Sequence, residues 1–280
     1  MNEKVLIASD TLGLTPDYTA TPQAGPSTLP IMLLARYRDA ALLFAALLLA
    51  WTLASHLLPL GANSLLPTPQ RTLAALVDSL PELWQGTVSS LLILIPGFSA
   101  ATVLGVVAGL AAGSSPRLGD AVFPVSRVVA PIPPTVYVPS AIARLPTFQL
   151  SAIFVVFIGA FWPVFQNTVA GAHALEARHR DNARILGLHG FEYQRRVVFP
   201  AALPHIFSGM AVGLAFSFIL LTVAELFGAN AGLGRFVQYY ADFADYPRMV
   251  AGILYTGLVT FIAMTLLDTV RRRVLFWLPR

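Results

Sequence analysis

The densest group of charged side chains in this sequence lies in one segment, His173–Pro204 (HALEARHRDNARILGLHGFEYQRRVVFPAALP). It holds Glu176, Arg178, Arg180, Asp181, Arg184, Glu192, Arg195 and Arg196. Uncharged runs flank it: 31 residues between Arg144 and Glu176, and 28 between Arg196 and Glu225. Such a cluster can pair with a complementary surface, which steers association and orientation more than it adds affinity. Within the apolar sequence, charge is confined to Arg127 and Glu225, and an ionisable group inside a membrane span marks a functional site by default. Other chemistry is excluded. With no cysteine there is no disulfide, thiolate metal site or cysteine nucleophile. The histidines His56, His173, His179, His189 and His205 have no metal-ligand spacing, and no HExxH motif, paired aspartates or Ser/His arrangement lies in the apolar runs. These absences argue against an intramembrane enzyme. No GxxxxGK[ST] motif occurs, so the chain cannot cradle nucleotide phosphates itself.

The elements that must position these residues are membrane helices. The chain is 56% hydrophobic and 11% charged, against roughly a quarter charged in a soluble domain. The expected class is therefore an all-α, polytopic membrane protein of about six spans, near 40–58, 86–113, 121–143, 148–172, 206–229 and 247–267. Residues 1–38 read as a cytoplasmic tail and 39–280 as the membrane domain, with the arginine-rich loop at 173–205. A break is expected at Gly61–Pro69, a surface amphipathic helix at Gln70–Trp84, and an outer loop at Asn230–Tyr246. Thirteen of the 18 Lys and Arg fall on one side of this layout and four on the other, with Arg127 in a span. The positive-inside rule then places both termini and the arginine-rich loop in the cytoplasm, and it explains the net charge of +4 better than nucleic acid does.

Two spans carry internal patterns. Gly105, Gly109 and Gly113 form a small-xxx-small face suited to close helix approach. The third span contains Pro131, Pro133 and Pro134, with Pro124 and Pro139 on either side, so it cannot be one unbroken helix. Irregular backbone at membrane depth survives where protein or a water-filled cavity covers it. The segment is thus either a pathway lining or a kinked packing helix. Tyr137, Phe161, Trp162 and Gln166 join Pro131, Pro133 and Pro134 as pathway candidates. Arg127 either snorkels inward or offers charge to an anion. Glu225 either joins a network with Arg235 or Asn230 or lines an outer gate.

ARILG, followed ten residues later by VVFPAALPHIFSGM, resembles the cytoplasmic "EAA" loop of bacterial ABC importer permeases. Three further stretches, APIPPTVYVP (Ala130–Pro139), FWPVFQNTVAG (Phe161–Gly171) and AELFGANAGLG (Ala224–Gly234), are similar to segments of the taurine, sulfonate, nitrate and bicarbonate permeases, in the same order. The resemblance covers Leu83 to the C-terminus. It implies a type I importer permease fold, in which Asp181, Asn182, Ala183, Arg184, Gly187, Arg195, Arg196, Pro200 and Pro204 dock an ATPase subunit. Physical reading of the loop agrees. Ala183 and Gly187, one turn apart, would offer a small-residue face to a partner; Gly187 also suits a helix end. Pro200 and Pro204 would limit where the next helix begins. The bland alternative is a loop whose arginines only enforce topology.

The sequence departs from the family pattern in places. Asp181-Asn182-Ala183 stands for Glu-Ala-Ala, Ala130 for a common arginine, and Gly209-Met210-Ala211 for Gly-Leu-Arg. IARLPTFQLSAIF (Ile142–Phe154) points to the nitrate and bicarbonate branch, while GLGRFVQYYADF points to the taurine branch. By this resemblance the chain is the non-catalytic translocation subunit of an importer in the bacterial inner membrane. Its partners would be two ATPases that bind ATP-Mg, a second permease copy in a homodimer, and a periplasmic binding protein; the chain itself would hold no cofactor and no metal. A stand-alone secondary transporter or channel is the alternative, disfavoured by the lack of paired intramembrane acids and of a visible inverted repeat.

Overall fold

The computed structural model describes residues 29–57 and 66–277. Lys4, Arg280, most of the expected tail and most of the expected break at 61–69 lie outside the described residues. The chain divides into two compact units, Met1–Ala54 and Ser55–Arg280. The described part of the first belongs to α1 (Leu29–Leu57), which begins ten residues before the expected domain boundary and is apolar over Ala41–Leu57.

The second unit follows as α2 (Pro69–Asp78), α3 (Leu80–Ser114), α4 (Pro116–Val129), α5 (Tyr137–Arg144), α6 (Phe148–His173), α7 (Ala177–Ile185), α8 (Gly190–Tyr193), α9 (Phe199–Gly228), α10 (Leu233–Asp242) and α11 (Tyr246–Val274). Among the described residues four helices are long and apolar enough to cross a membrane: α3, α6, α11 and a continuous Gly190–Gly228 helix that joins α8 to α9. The surface helix expected over Gln70–Trp84 ends at Asp78, and Leu80–Trp84 already belong to α3. The expected outer loop contains α10.

The expected third span is two short helices with a break. Pro131, Pro133 and Pro134 lack the amides that would bond the carbonyls of Arg127, Val129 and Ala130 in an α-helix. Locally the Ile132 amide bonds the Val129 carbonyl at 3.1 Å, and a 3₁₀ turn over Pro134–Val136 leads into α5. Proline within a helix is tolerated elsewhere. Pro200 and Pro204 do not delay α9, which was the expectation. A π turn over Gln194–Val198 instead precedes Pro200 and keeps the helix continuous, with the Phe199 amide bonding the Gln194 carbonyl.

Glycine packs the centre. Leaving lipid gains an apolar side chain little, so membrane helices associate through van der Waals contact at close approach. A Cβ on Gly97, Gly105, Gly109 or Gly113 would lie 2.6–3.0 Å from atoms of Val156, Val164, Thr168 or Ala172. The small-residue face of α3 therefore packs on α6, and the paired numbers rise together, so α3 and α6 run parallel. Gly209 and Gly213 of α9 approach Pro163, Val164 and Ala160 of α6 in antiparallel register. Val155, Val156, Leu214, Leu220 and Leu221 fill the space between. In α11 only Ala251 and Gly252 are buried. Gly109→Leu should destabilise the detergent-solubilised chain by about 1–3 kcal/mol from overpacking. Gly257→Ala, entering open space, should be neutral or stabilise by about 1 kcal/mol. Equal thermal shifts for the two would disprove this packing account.

Candidate functional site

At the end of the bundle where α3 and α6 finish, the arginine-rich segment folds into a short, well-capped knob. Helix α7 ends in a Schellman motif: the Leu188 amide bonds the Ala183 carbonyl and the Gly187 amide bonds the Arg184 carbonyl, each at 3.0 Å. Gly187 takes φ +69°, a left-handed conformation that costs other residues about 1–2 kcal/mol. The His189 Nδ1 lies 2.7 Å from the Gly187 carbonyl. A carbonyl only accepts, so Nδ1 carries the proton and donates, which fixes the turn between α7 and α8.

This geometry corrects one expectation. Ala183 is buried against its own chain, near Leu175 and Leu188, so Ala183 and Gly187 do not present a small-residue face to a partner. Gly187 acts as the helix end. What the knob does present is Ile185, Leu186 and Phe191, which are 83%, 74% and 80% exposed. Arginines surround these three. Arg184 pairs with Asp181 at 3.6 Å and Arg196 with Glu192 at 3.1 Å, both on the surface, where such pairs contribute little. Arg178, Arg180 and Arg195 have no ion pair among the described residues. Asn182, Arg196 and Pro200 line a shallow groove of about 360 Å³ with Ala183 and Trp277, and Pro204 lies within α9. The apolar triplet was missed from the sequence, although apolar residues beside Gly187 and Gly190 in a charged loop were a legible signal.

A second feature lies halfway along the bundle. The break after α4 meets α6 and α9 at an open cleft of about 280 Å³ whose lining includes Ala130, Pro134, Gly159, Trp162, Gln166 and Asn167. Three of the sequence candidates, Pro134, Trp162 and Gln166, therefore share one site. Pro163 has no amide to offer the Gly159 carbonyl, and the Asn167 side chain donates to the Pro163 carbonyl at 2.9 Å. Phe161 and Phe165 meet Trp162 edge-on at 5.1 and 6.0 Å. The cleft is lined mainly by apolar groups, among them Ile158, Val212 and Phe216, with the Gln166 and Asn167 amides and the Trp162 indole as its neutral polar ones. Pro131 and Pro133 are exposed at the break and Tyr137 is half-buried at the start of α5. The side chain of Arg127 lies outside the described residues.

Glu225 belongs to a network, but not with the partners expected. It is 1% exposed near the end of α9. Its Oε1 accepts from the Ser90 hydroxyl at 2.6 Å and its Oε2 from the Gly234 amide at 2.7 Å. Arg235 and Asn230 instead line a neighbouring cleft of about 320 Å³ with Glu82 and Tyr239. On the same side the Tyr240 hydroxyl donates to Glu82 at 2.9 Å. Burial, reinforced by that carboxylate, raises the Tyr240 pKa above its ordinary value and keeps it a donor.

Residues 26–276 match a family described as the inner membrane component of binding-protein-dependent transport systems. The chain belongs to this family. It is 36% identical over 163 residues to the nitrate import permease protein of Synechocystis sp., covering 58% of this chain and 59% of that protein. It is 30% identical over 234 residues to the taurine transport system permease protein of Escherichia coli, covering 81% and 84%. The bicarbonate transport system permease protein of Synechococcus elongatus is 32% identical over 200 residues, covering 70% and 68%. The chain is accordingly an all-α, polytopic permease subunit of an ABC importer. Serine at Ile185, Leu186 or Phe191 should change unfolding free energy by no more than about 0.5 kcal/mol, as expected for exposed positions. Ala183→Asp should cost about 2 kcal/mol or more by burying a carboxylate. Thermal melts of the four variants check this, and a large loss at the exposed positions would contradict the knob geometry.

Proposed function

We propose that this subunit forms the translocation pathway for a small anion, in the class of sulfonates, nitrate or bicarbonate, handed over by a periplasmic binding protein. The observation that carries the reading is the knob at the arginine-rich end: three exposed apolar side chains at a turn closed by a Schellman motif, in a segment whose Arg178, Arg180 and Arg195 have no ion pair among the described residues. An apolar centre with a charged rim is the anatomy of a docking surface. Its partner is an ATPase subunit with an apolar groove and an acidic rim. This reading puts the knob and both termini in the cytoplasm and the chain in the bacterial inner membrane, in line with the excess of basic residues there.

Two copies of the chain, each docking one ATPase, enclose the pathway between them. The break after α4 and the cleft at Trp162 and Gln166 line it, since irregular backbone at that depth needs a protein-covered or water-filled side. ATP, held with magnesium by the partner, closes the ATPase pair and moves the knob, and the helices rock between inward- and outward-open states. Nucleotide shifts this equilibrium only by its different affinity for the two states. Amides and an indole hydrogen-bond an anion weakly enough to release it again.

The test is co-purification of the ATPase from detergent-solubilised membranes. The parent chain should bring down an ATPase that hydrolyses ATP. Ile185→Asp and Phe191→Asp, which place a carboxylate where the groove expects apolar surface, should each weaken the association at least about tenfold, a loss of 1.4 kcal/mol. If the parent retains no ATPase, the docking role fails.

A further inference from the structure

The Glu225 network does more than bury a carboxylate. Besides donating to Glu225, the Ser90 hydroxyl accepts from the Leu233 amide at 3.0 Å. Together Ser90 and Glu225 occupy the first two amides of α10, Leu233 and Gly234. A second serine, Ser89, donates to the Ala231 carbonyl at 3.1 Å. The connecting loop lies flush on this anchor. Gly232 has φ +147°, and a Cβ there would lie 2.4 Å from the Glu225 carboxyl carbon; one on Gly234 would lie 2.6 Å from the Thr222 carbonyl. A Cβ on Gly86 of α3 would lie 3.3 Å from the Gly232 carbonyl. Helix α10 is therefore fastened to the ends of both α3 and α9 by hydrogen bonds and by space that admits only glycine.

The opposite end of the same helix carries the knob. Gly190–Gly228 is one continuous helix of 39 residues, roughly 58 Å at 1.5 Å per residue. It begins beside Phe191 and reaches Glu225 one turn before its end. We propose that α9 is a strut and that Glu225 is a positioning residue, clamping α10 so that a displacement of the knob at one membrane face carries the outer helix and its Arg235-lined cleft at the other. This rests on the docking role argued above. The clamp works through hydrogen bonding rather than charge. A glutamine at 225 can accept from the Gly234 amide with its carbonyl and donate to the Ser90 oxygen, because a hydroxyl both gives and takes. Alanine can do neither.

The absence of cysteine lets one introduced thiol report on α10. Phe243→Cys, at a 69% exposed position just past the helix, would carry a nitroxide in the complete importer reconstituted in nanodiscs. ATP with vanadate should shift its spectrum in the parent. Glu225→Ala should abolish the shift while ATP hydrolysis stays within about twofold of the parent. Glu225→Gln should restore the shift. A general loss of structure would remove hydrolysis and shift together, and therefore counts against the strut. An unaltered shift in Glu225→Ala, or a Glu225→Gln that behaves like alanine, would overturn the clamp. An unmoved label in a parent that binds and hydrolyses ATP would overturn the strut. Failure of the docking role is read apart from all of these, by the parent retaining no ATPase. The clamp is then still measured on the permease alone in detergent, where nitroxide mobility at position 243 should rise in Glu225→Ala and Ser90→Ala and not in Glu225→Gln.

Discussion

Close contact between backbones governs this structure. Helices α3, α6 and α9 approach so nearly that Gly97, Gly105, Gly109, Gly209 and Gly213 leave no room for a side chain. In hydrocarbon, where apolar side chains are as well solvated by lipid as by protein, this proximity multiplies weak dispersion contacts into a stable core. Everything functional hangs on that core. The knob is carried by the end of α6 and the start of the α8–α9 helix, the central cleft opens between α6 and α9, and the anchor of α10 bridges α3 and α9.

The core also divides the molecule into rigid and open parts. Buried side chains concentrate on α6 and α9, whereas α11 buries only Ala251 and Gly252. Surfaces free for lipid or for other subunits are therefore on α11 and on the outer sides of α3. The polar contacts follow the same division. Ser90 with Glu225 and Tyr240 with Glu82 link different helices at the α10 end, while hydroxyls along the spans, such as that of Thr168 to Val164, return to carbonyls of their own helix. A span that satisfies its own hydroxyls can slide against its neighbour without breaking a hydrogen bond.

How far the sequence revealed this depended on the range of the governing interaction. The bounds of α6 were legible almost to the residue from the charge-free run that fills it, and in the structure Thr147 caps its start. The break at Pro131–Pro134 followed from missing amides, and the glycine face of α3 from its spacing. The start of α3 was misplaced because Leu80–Trp84 read as surface sequence. Pro200 and Pro204 misled because a π turn absorbs the distortion that proline brings, and nothing in the residue types announces one. The small face at Ala183 failed because spacing does not reveal which way a short helix is turned. The partners of Glu225 were out of reach for another reason: Ser90 lies 135 residues away, and no local pattern encodes such a pair.

The break after α4 bears on how the subunit comes to exist in the cell. Its prolines deprive the carbonyls of Arg127 and Ala130 of their α-helical donors, level with the middle of α6 and α9, and Pro131, Ile132 and Pro133 are exposed on the single chain. Each carbonyl left facing lipid costs several kcal/mol. On the proposed role in an assembled importer, a second subunit or a water-filled cavity covers this break. On that reading a copy without the cover is the less stable form, and its lifetime in the membrane depends on how soon it is covered.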